Sequence, residues 1–554
     1  DNQLTVSNCV FRNNSAMGSG GAIAKTDGTL ILEDVLLEEN VALLSGGAIF
    51  TADVFIDANA CRLDGNWVTE GEVGGWQISH PVDESVIVDV EVGNTQGSGI
   101  GVAELDAVLT FRSCLFWDNE SSGSGGGLQI LGDDPADALV EDCEFHGNIS
   151  GSWGGGLRSD CQTAVFNCLF LFNQAEDGGG LFSADGHLVN NVFTDNIATG
   201  GNPSRGGGAY LNDGMVFDNR FERNTADNGG GLYVRDLIVP LTGGIFLDNT
   251  ATEGGGGLYV GTGEVDTSTF VRNHANRGGG LYHEDHYVWH SVFWDNSVDG
   301  NGAAVLTPTQ SYLIQCTIVG NTVISEEPRG AQVVAWREWD EPVPALMPAL
   351  HRCIAAFGHN CGVLDMIHED FPWPQKDMPE EPSRLAYCSL IYGNDIGYWS
   401  DNDPSDLDCI ASDPLFCDLE AGDLTLHSNS PALPENNDCG DLMGFFGVGC
   451  TVASGVEDSL PSAVTALLGN HPNPFNPSTT VEFALARDGQ VVLEVVDLKG
   501  RRVARLVSEH RSAGQHTVRW DGRDDAGREV PSGIYLARLV AAGSVSAHRL
   551  ALIR

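Results

Sequence analysis

Residues 221–260 read FERNTADNGGGLYVRDLIVPLTGGIFLDNTATEGGGGLYV. Phe221 and Asn224 come back as Phe246 and Asn249, and the glycines before Leu232 come back before Leu258. Outward in both directions the same apolar-x-x-Asn phrase continues. It occurs as Phe11/Asn14, Leu37/Asn40, Leu63/Asn66, Phe116/Asn119, Phe145/Asn148, Phe170/Asn173 and Phe193/Asn196, then Phe270/Asn273, Phe293/Asn296 and Ile318/Asn321. The asparagines lie 23 to 29 residues apart except for one gap of 53 after Asn66, where Asn94 is read as marking a degenerate coil. A period in this range is a repeat-architecture signal, and no helical periodicity interrupts it.

A solenoid explains the pattern and a sandwich does not. When coils stack, equivalent positions of neighbouring strands lie ~4.8 Å apart, so one residue type at one phase becomes one column. Phe then stacks on Phe inside, and Asn amides can bond along the column while tolerating a left-handed corner. The Gly clusters supply a corner where φ is positive or no Cβ fits. The expected fold is all-β: a right-handed parallel β-helix followed by a small immunoglobulin-like β-sandwich. The expected divisions are regular coils at 1–324, irregular coils, insertion loops and cap at 325–450, a linker at 451–463, and the sandwich at 464–554.

Charge separates the two parts. The 554 residues hold 77 acids and 28 bases, a formal charge of −49. Up to Cys450 the chain carries 66 acids and 16 bases; beyond it, 11 and 12. Nucleic acid is therefore excluded as a partner of the long part, because phosphate binding needs a basic footprint. Hydrated cations, basic partners or neutral glycans suit it better. No apolar run approaches the ~20 residues of a membrane-spanning helix. The chain opens at Asp1 without an apolar signal region, which reads as a processed form or a fragment.

The paired phrases, as in Phe11–Asn14 with Gly20–Ile23 and then Gly46–Ile49, resemble the repeats of chlamydial polymorphic outer-membrane proteins. The resemblance covers residues 1–321 and implies a surface β-helix associated with adhesion. The stretch after residue 450 does not read as that family's membrane barrel, so its export route is not expected to carry over. Residues 413–450, with Asp413-Pro414-Leu415-Phe416, look like the closing element of bacterial secreted β-helix proteins. The phrases NPFNP at 473–477, WDGRD at 520–524 and SGIY at 532–535 resemble the type IX secretion sorting domain, and equally the immunoglobulin-like domain of flagellar hook-capping proteins. This second resemblance implies export across an outer membrane, and attachment to the outer surface of a bacterium.

Cys9, Cys61, Cys114, Cys143, Cys168 and Cys316 all stand five residues before a repeat Asn, so they form one interior column. They read as inert small hydrophobes, with bridging between coils as the alternative. Seven further cysteines from Cys353 to Cys450 cluster near the end of the helix, where disulfides would staple an irregular cap. Cys439 with Cys450 is the preferred pair.

Candidate sites are few. Two acidic insertions carry Trp336 and Trp339, then Phe371 and Trp373. Those rings either stack against sugars or a partner, or fold over the helix end as a cap. Asp401, Asp403, Asp406 and Asp408 offer hard oxygen ligands for calcium but lack the turn glycine of established calcium loops, and a solvated acidic loop is the competing reading. His274, His283, His286 and His290 form the densest His cluster, better read as solvated than as a metal site. A catalytic reading is weakened by the near absence of Lys and of N-T-D, G-H-G and R-I-K phrases. The favoured function is a noncatalytic extracellular structural or adhesive scaffold, a subunit of a surface assembly or filament. A polysaccharide lyase or glycoside hydrolase is the alternative. Partners are expected to be further copies, other surface proteins or glycans, with docking at the N-terminal coil, whose strand Leu4–Phe11 is not preceded by a cap.

Overall fold

The computed structural model describes residues 2–552 apart from 83–84, 106–107, 133–136, 285, 308–310, 325–330, 337–348, 360–361, 368–385, 395–408, 451–465, 472–477, 486–488, 497–501, 513, 529, 531–532 and 542–543. The chain divides into two units, Asp1–Val452 and Ala453–Arg554.

The first unit is a parallel β-solenoid of about 14 turns. One coil runs through Ala209–Phe217, Arg220–Glu222 and Thr225–Asn228, and each strand pairs in parallel with its counterpart one coil on. Leu211 aligns with Val234, Phe221 with Phe246, and Ala226 with Ala251. Three left-handed residues turn the corners of this coil: Asp218 (φ 55°), Arg223 (φ 53°) and Gly229 (φ 64°). Two polar residues tolerate the first two corners, but the third admits only glycine. A Cβ on Gly229 would sit 2.5 Å from the Leu232 carbonyl oxygen, and Cβ atoms on Gly230 and Gly231 would lie 2.4 and 2.6 Å from carbonyl oxygens of the next coil. The glycine triplet is thus one φ requirement followed by two close approaches.

The interior is a set of columns. Eight phenylalanines from Phe116 to Phe293 stack at 4.6–5.0 Å with their planes within 8° of parallel, all fully buried. That spacing is the strand separation itself. Beside them runs the asparagine ladder. Asn224 Nδ2 donates to Asn249 Oδ1 at 3.0 Å and to the Phe193 carbonyl at 2.9 Å, while its Oδ1 accepts from the Nδ2 and the backbone N–H of Asn196. Both donors and both lone pairs of the amide are used, so a fully buried polar column carries no desolvation penalty. The same pattern runs from Asn119 through Asn148, Asn173, Asn196, Asn249 and Asn273 to Asn296 and Asn321.

Two rungs depart from asparagine. In the long gap the rung is Thr95, whose hydroxyl lies 2.7 Å from Asn119 Oδ1; Asn94 is the left-handed corner beside it (φ 53°). The degenerate coil therefore keeps its place, one residue later than the sequence suggested. After Asn321 the rung position is Gly358, which has no side-chain amide, although its backbone N–H still donates to Asn394 Oδ1 at 2.9 Å. Gln332 reaches in from another strand instead, accepting from Asn321 Nδ2 at 3.0 Å and donating to Asn394 Oδ1 at 2.6 Å.

The cysteine column is a hydrogen-bonding column too. The backbone N–H of Cys114 points at Cys143 Sγ, that of Cys143 at Cys168 Sγ, and that of Cys316 at Cys353 Sγ, each at 3.4 Å. Where the column changes residue type, Asn191, Asn219, Ser291 and Ser389 accept the same bond from the coil before. These cysteines are free thiols, and burial pushes Cys114, Cys143 and Cys316 well above the ordinary thiol range.

The closing segment covers a side of the last coils. Phe416–Asp418, Asp423–His427 and Val448–Cys450 form a small sheet. Leu424, Leu426, Met443 and Phe445 lie against Val292, Val319, Ile354 and Ala356, which are outward-facing residues of the Phe-bearing strand. The Phe445 N–H donates to Thr317 Oγ1 at 2.9 Å, and Arg352 pairs with Asp441 at 2.9 Å. The expected Cys439–Cys450 bridge is not formed. Cys439 pairs with Cys388 in the last coil, and Cys450 pairs with Cys417 within the segment. The segment must be fastened to the coils as well as to itself, and a Cys439–Cys450 bridge would have done only the second.

The second unit packs a three-stranded antiparallel sheet (Ala466–His471, Thr479–Leu485, Gly514–Trp520) with a four-stranded one (Arg502–Arg511, Gly489–Val496, Gly533–Ala541, Ser544–Leu552). Phe483, Leu493, Trp520, Tyr535 and Leu539 share its core. Glu494 is buried and bonded to Arg505 and Arg538 at 2.8 Å, which holds its carboxyl below the usual range.

Candidate functional site

After each glycine triplet the first strand residue points inward and the second outward, as strand alternation requires. The outward position is Phe182, Tyr210, Tyr233, Tyr259 and Tyr282 in five successive coils. With Trp153 leading, these rings form a second ladder on the flank, at 4.6–5.3 Å spacing. Tyr210 donates to Asn212 Oδ1 at 2.9 Å, and Tyr259 to Glu284. Burial first, and the Glu284 carboxylate second, keep the Tyr259 phenol protonated far above its ordinary range.

A loop turns the middle of this ladder into a groove. Gly229 follows Asn224 by five positions, but Gly206 follows Asn196 by ten. From this longer loop Gly201, Asn202 and Pro203 stand beside the rings and help enclose about 390 Å³ with Asp177, Arg205, Asn228, Tyr233 and Tyr259. Arg205 forms a two-pronged pair with the buried Asp177, with Nη2–Oδ2 at 2.9 Å, and its backbone N–H donates to the same carboxylate at 2.8 Å. Its guanidinium lies 5.1 Å from the Tyr210 ring centre and 5.8 Å from Tyr233. Burial alone would lower the guanidinium's proton affinity; Asp177 outweighs it, so the ion pair is fixed. Asn228 is held by Glu253 at 2.9 Å.

Further along the same flank Asp185, Asp213 and Asp236 align in register. Desolvation and the flanking Asp236 and Asp185 carboxylates raise Asp213, although Arg235 opposes them; Asp236 is lowered by the Thr262 hydroxyl and by Arg235.

The sites expected from sequence fall elsewhere. Trp336 ends the strand Ala331–Trp336, and its side chain is not described. Trp339, Phe371, Trp373, Asp401, Asp403, Asp406 and Asp408 lie outside the described residues. The histidine cluster is dispersed. His283 is interior and bonded to the Gly263 carbonyl at 2.8 Å, His290 pairs with Asp266, and His274 bonds Ser297. Among the described residues no group of three His, Cys, Asp or Glu could hold a metal. The flank ladder was missed although its signal is plain: Gly-Gly-Leu-Tyr stands at 230–233, 256–259 and 279–282.

The comparisons with known proteins agree with this architecture. A right-handed β-helix region matches residues 83–237, a Chlamydia polymorphic membrane protein repeat matches residues 8–25, and an FlgD Ig-like domain matches residues 475–544. The chain is a β-helix repeat protein with an FlgD Ig-like C-terminal domain. A metabotropic glutamate receptor-like protein R of Dictyostelium discoideum is 23% identical over 199 residues, 35% of this chain and 12% of that protein. The dimeric latent PorU of Porphyromonas gingivalis is 23% identical over 16% of this chain and 9% of that one, with a TM-score of 0.14. The chain thus spans only about a tenth of the length of either.

Proposed function

We propose that the protein is a noncatalytic bacterial scaffold, extracellular or on the outer cell surface, that binds a neutral glycan along its aromatic flank. The groove beside Tyr233 and Tyr259 is the observation that carries the reading. Its walls are planar hydrogen-bonding groups, Asp177, Arg205 and Asn228, next to tyrosine hydroxyls, and such groups match the paired hydroxyls of a sugar. The one cation in the groove is already committed to Asp177, and the surrounding charge of −49 repels a polyanion. The Chlamydia-type repeat and the FlgD Ig-like domain support placement at a cell surface, with the C-terminal unit serving export or attachment.

A printed array of neutral oligosaccharides, probed with the full chain, tests this. Expected is binding that weakens at least tenfold in Asn228→Ala and Arg205→Ala, both of which alter groove side chains and leave the inner columns untouched. Binding only to basic peptides, or binding unaffected by both substitutions, overturns it. Release of new reducing ends from any bound glycan would put the enzyme reading in its place.

A further inference from the structure

The outer side of the Phe-bearing strand shows two columns, formed by the residues just before and just after each ladder position. From Val292 and Trp294 onward the closing segment covers them with Leu424, Phe416 and Phe445. Among the described residues the same columns run on uncovered through the earlier coils as Leu115/Trp117, Leu169/Leu171, Val192/Thr194 and Ile245/Leu247. None of these residues is fully buried, and Ile245 is 37% exposed. Its charged members between Leu115 and Val271 are Glu144, Arg220 and Glu222, and the last two pair with each other at 2.9 Å. A near-neutral apolar stripe therefore runs along a strongly acidic solenoid.

We propose that this stripe is a self-association face through which two copies of the chain dock side by side about a twofold axis. Continuity carries the argument first. These columns already form an apolar interface where the closing segment meets them, so the uncovered stretch offers the same chemistry to a second surface. Charge carries it second. Two acidic solenoids repel wherever acids face each other, and the stripe is where the chain can meet its own copy without that repulsion. A twofold axis lets one patch serve both partners.

Glu144 gives the association a pH dependence. It stands between Leu115 and Leu169 in its column, and burial lifts its carboxyl to about 6. The ionisable groups around it are His146 on its own strand, lowered by burial, Asp142 at the corner before it, Asp118 of the neighbouring coil beside Gly147, the Arg112–Glu141 pair on the preceding strands, and Arg220 further along the column. Docking would bury Glu144 further and favours its neutral form. Association therefore strengthens as pH falls through 6.

Sedimentation equilibrium of the full chain at pH 5.5 and pH 8 is the test. Expected is a dimer whose association constant is at least about tenfold higher at pH 5.5, with Glu144→Gln dimerising at pH 8 as the wild type does at pH 5.5. Leu169→Lys and, independently, Ile245→Lys should return the chain to monomer with unchanged circular dichroism. Monomers at both pH values in wild type and Glu144→Gln, or dimers indifferent to both lysine substitutions, would overturn the proposal.

Discussion

The coils from Phe116 to Asn321 and the coils from Ile354 to Asn394 are built on the same corners but held together differently. In the first stretch the Asn column is unbroken, the Phe column runs to Phe293 and ends on Ile318, and no disulfide links one coil to the next among the described residues. In the second, Ala355 replaces the ring, Gly358 replaces the amide, and the outer face becomes Ile354 and Ala356 under a disulfide-fastened segment. Where each rung satisfies the next, stability grows by repetition and the outside is free to vary. Where the inner columns thin out, the missing burial is recovered outside by Leu426, Leu433 and Met443, at the expense of that face's access to solvent.

The sharpest way to break the contrast is to empty one rung of the regular stretch. Phe221 is fully buried between Phe193 and Phe246, with ring centres 4.8 and 5.0 Å away. Phe221→Ala should cost about 3–5 kcal/mol, because the flanking rings are pinned by their strands and cannot collapse into the space. Hydrogen exchange should show the loss concentrated in the coils on either side. An unchanged melt would mean that the stacked rings are not what holds the coils.

The disulfides test the other half. Cys388–Cys439 closes a loop across a sequence separation of 51 and ties the segment to the last coil. Replacing both cysteines with serine should cost about 2–4 kcal/mol. The effect should appear as faster exchange in residues 410–450 and dye binding to the uncovered Val319 and Ile354, while the Phe116–Phe293 coils stay protected. Uniform destabilisation along the whole solenoid would show that the two stretches unfold as one.

How much of this was readable in advance follows the same division. The Phe and Asn columns were legible because a stacked position admits one residue type, so structure is written as period. The flank tyrosines were equally periodic but masked by the glycines before them, which claimed the attention due to the whole phrase. The disulfide partners were not legible. Pairing depends on how the closing segment lies across the last coils, and that path is set by contacts between residues more than a hundred positions apart, such as the apolar cluster of Leu424 with Val292 and the hydrogen bond from Phe445 to Thr317. Gln332 was invisible for the same reason, since it fills a rung from another strand. The groove was hidden because the five-residue excess that forms it reads as a small change in period.

The smallest effect probes the coil just before the regular stretch, where the rung is threonine in place of asparagine. Thr95 has a single hydroxyl proton for two acceptors, Asn119 Oδ1 at 2.7 Å and the Gly97 carbonyl at 2.8 Å, and its backbone N–H reaches Asn119 Oδ1 at 3.3 Å, against 2.9–3.2 Å for the same bond at Asn40, Asn119 and Asn148. An amide at this position would donate two bonds, one along the column and one back toward the Leu63 strand, and would accept from Asn66. Thr95→Asn should therefore stabilise by about 0.5–1 kcal/mol, the net value of one further satisfied bond. The gain should register as slower exchange of the amides of Asn66 and Asn119 more than as a shift of the whole melt. Stabilisation would show that the ladder runs through this coil and that threonine is a tolerated weak rung. Destabilisation of 1 kcal/mol or more would show that the coil is shaped around the smaller side chain, with the close approach of Gly74, whose Cβ would come within 2.9 Å of Thr95 Cβ, as the feature that asparagine disturbs.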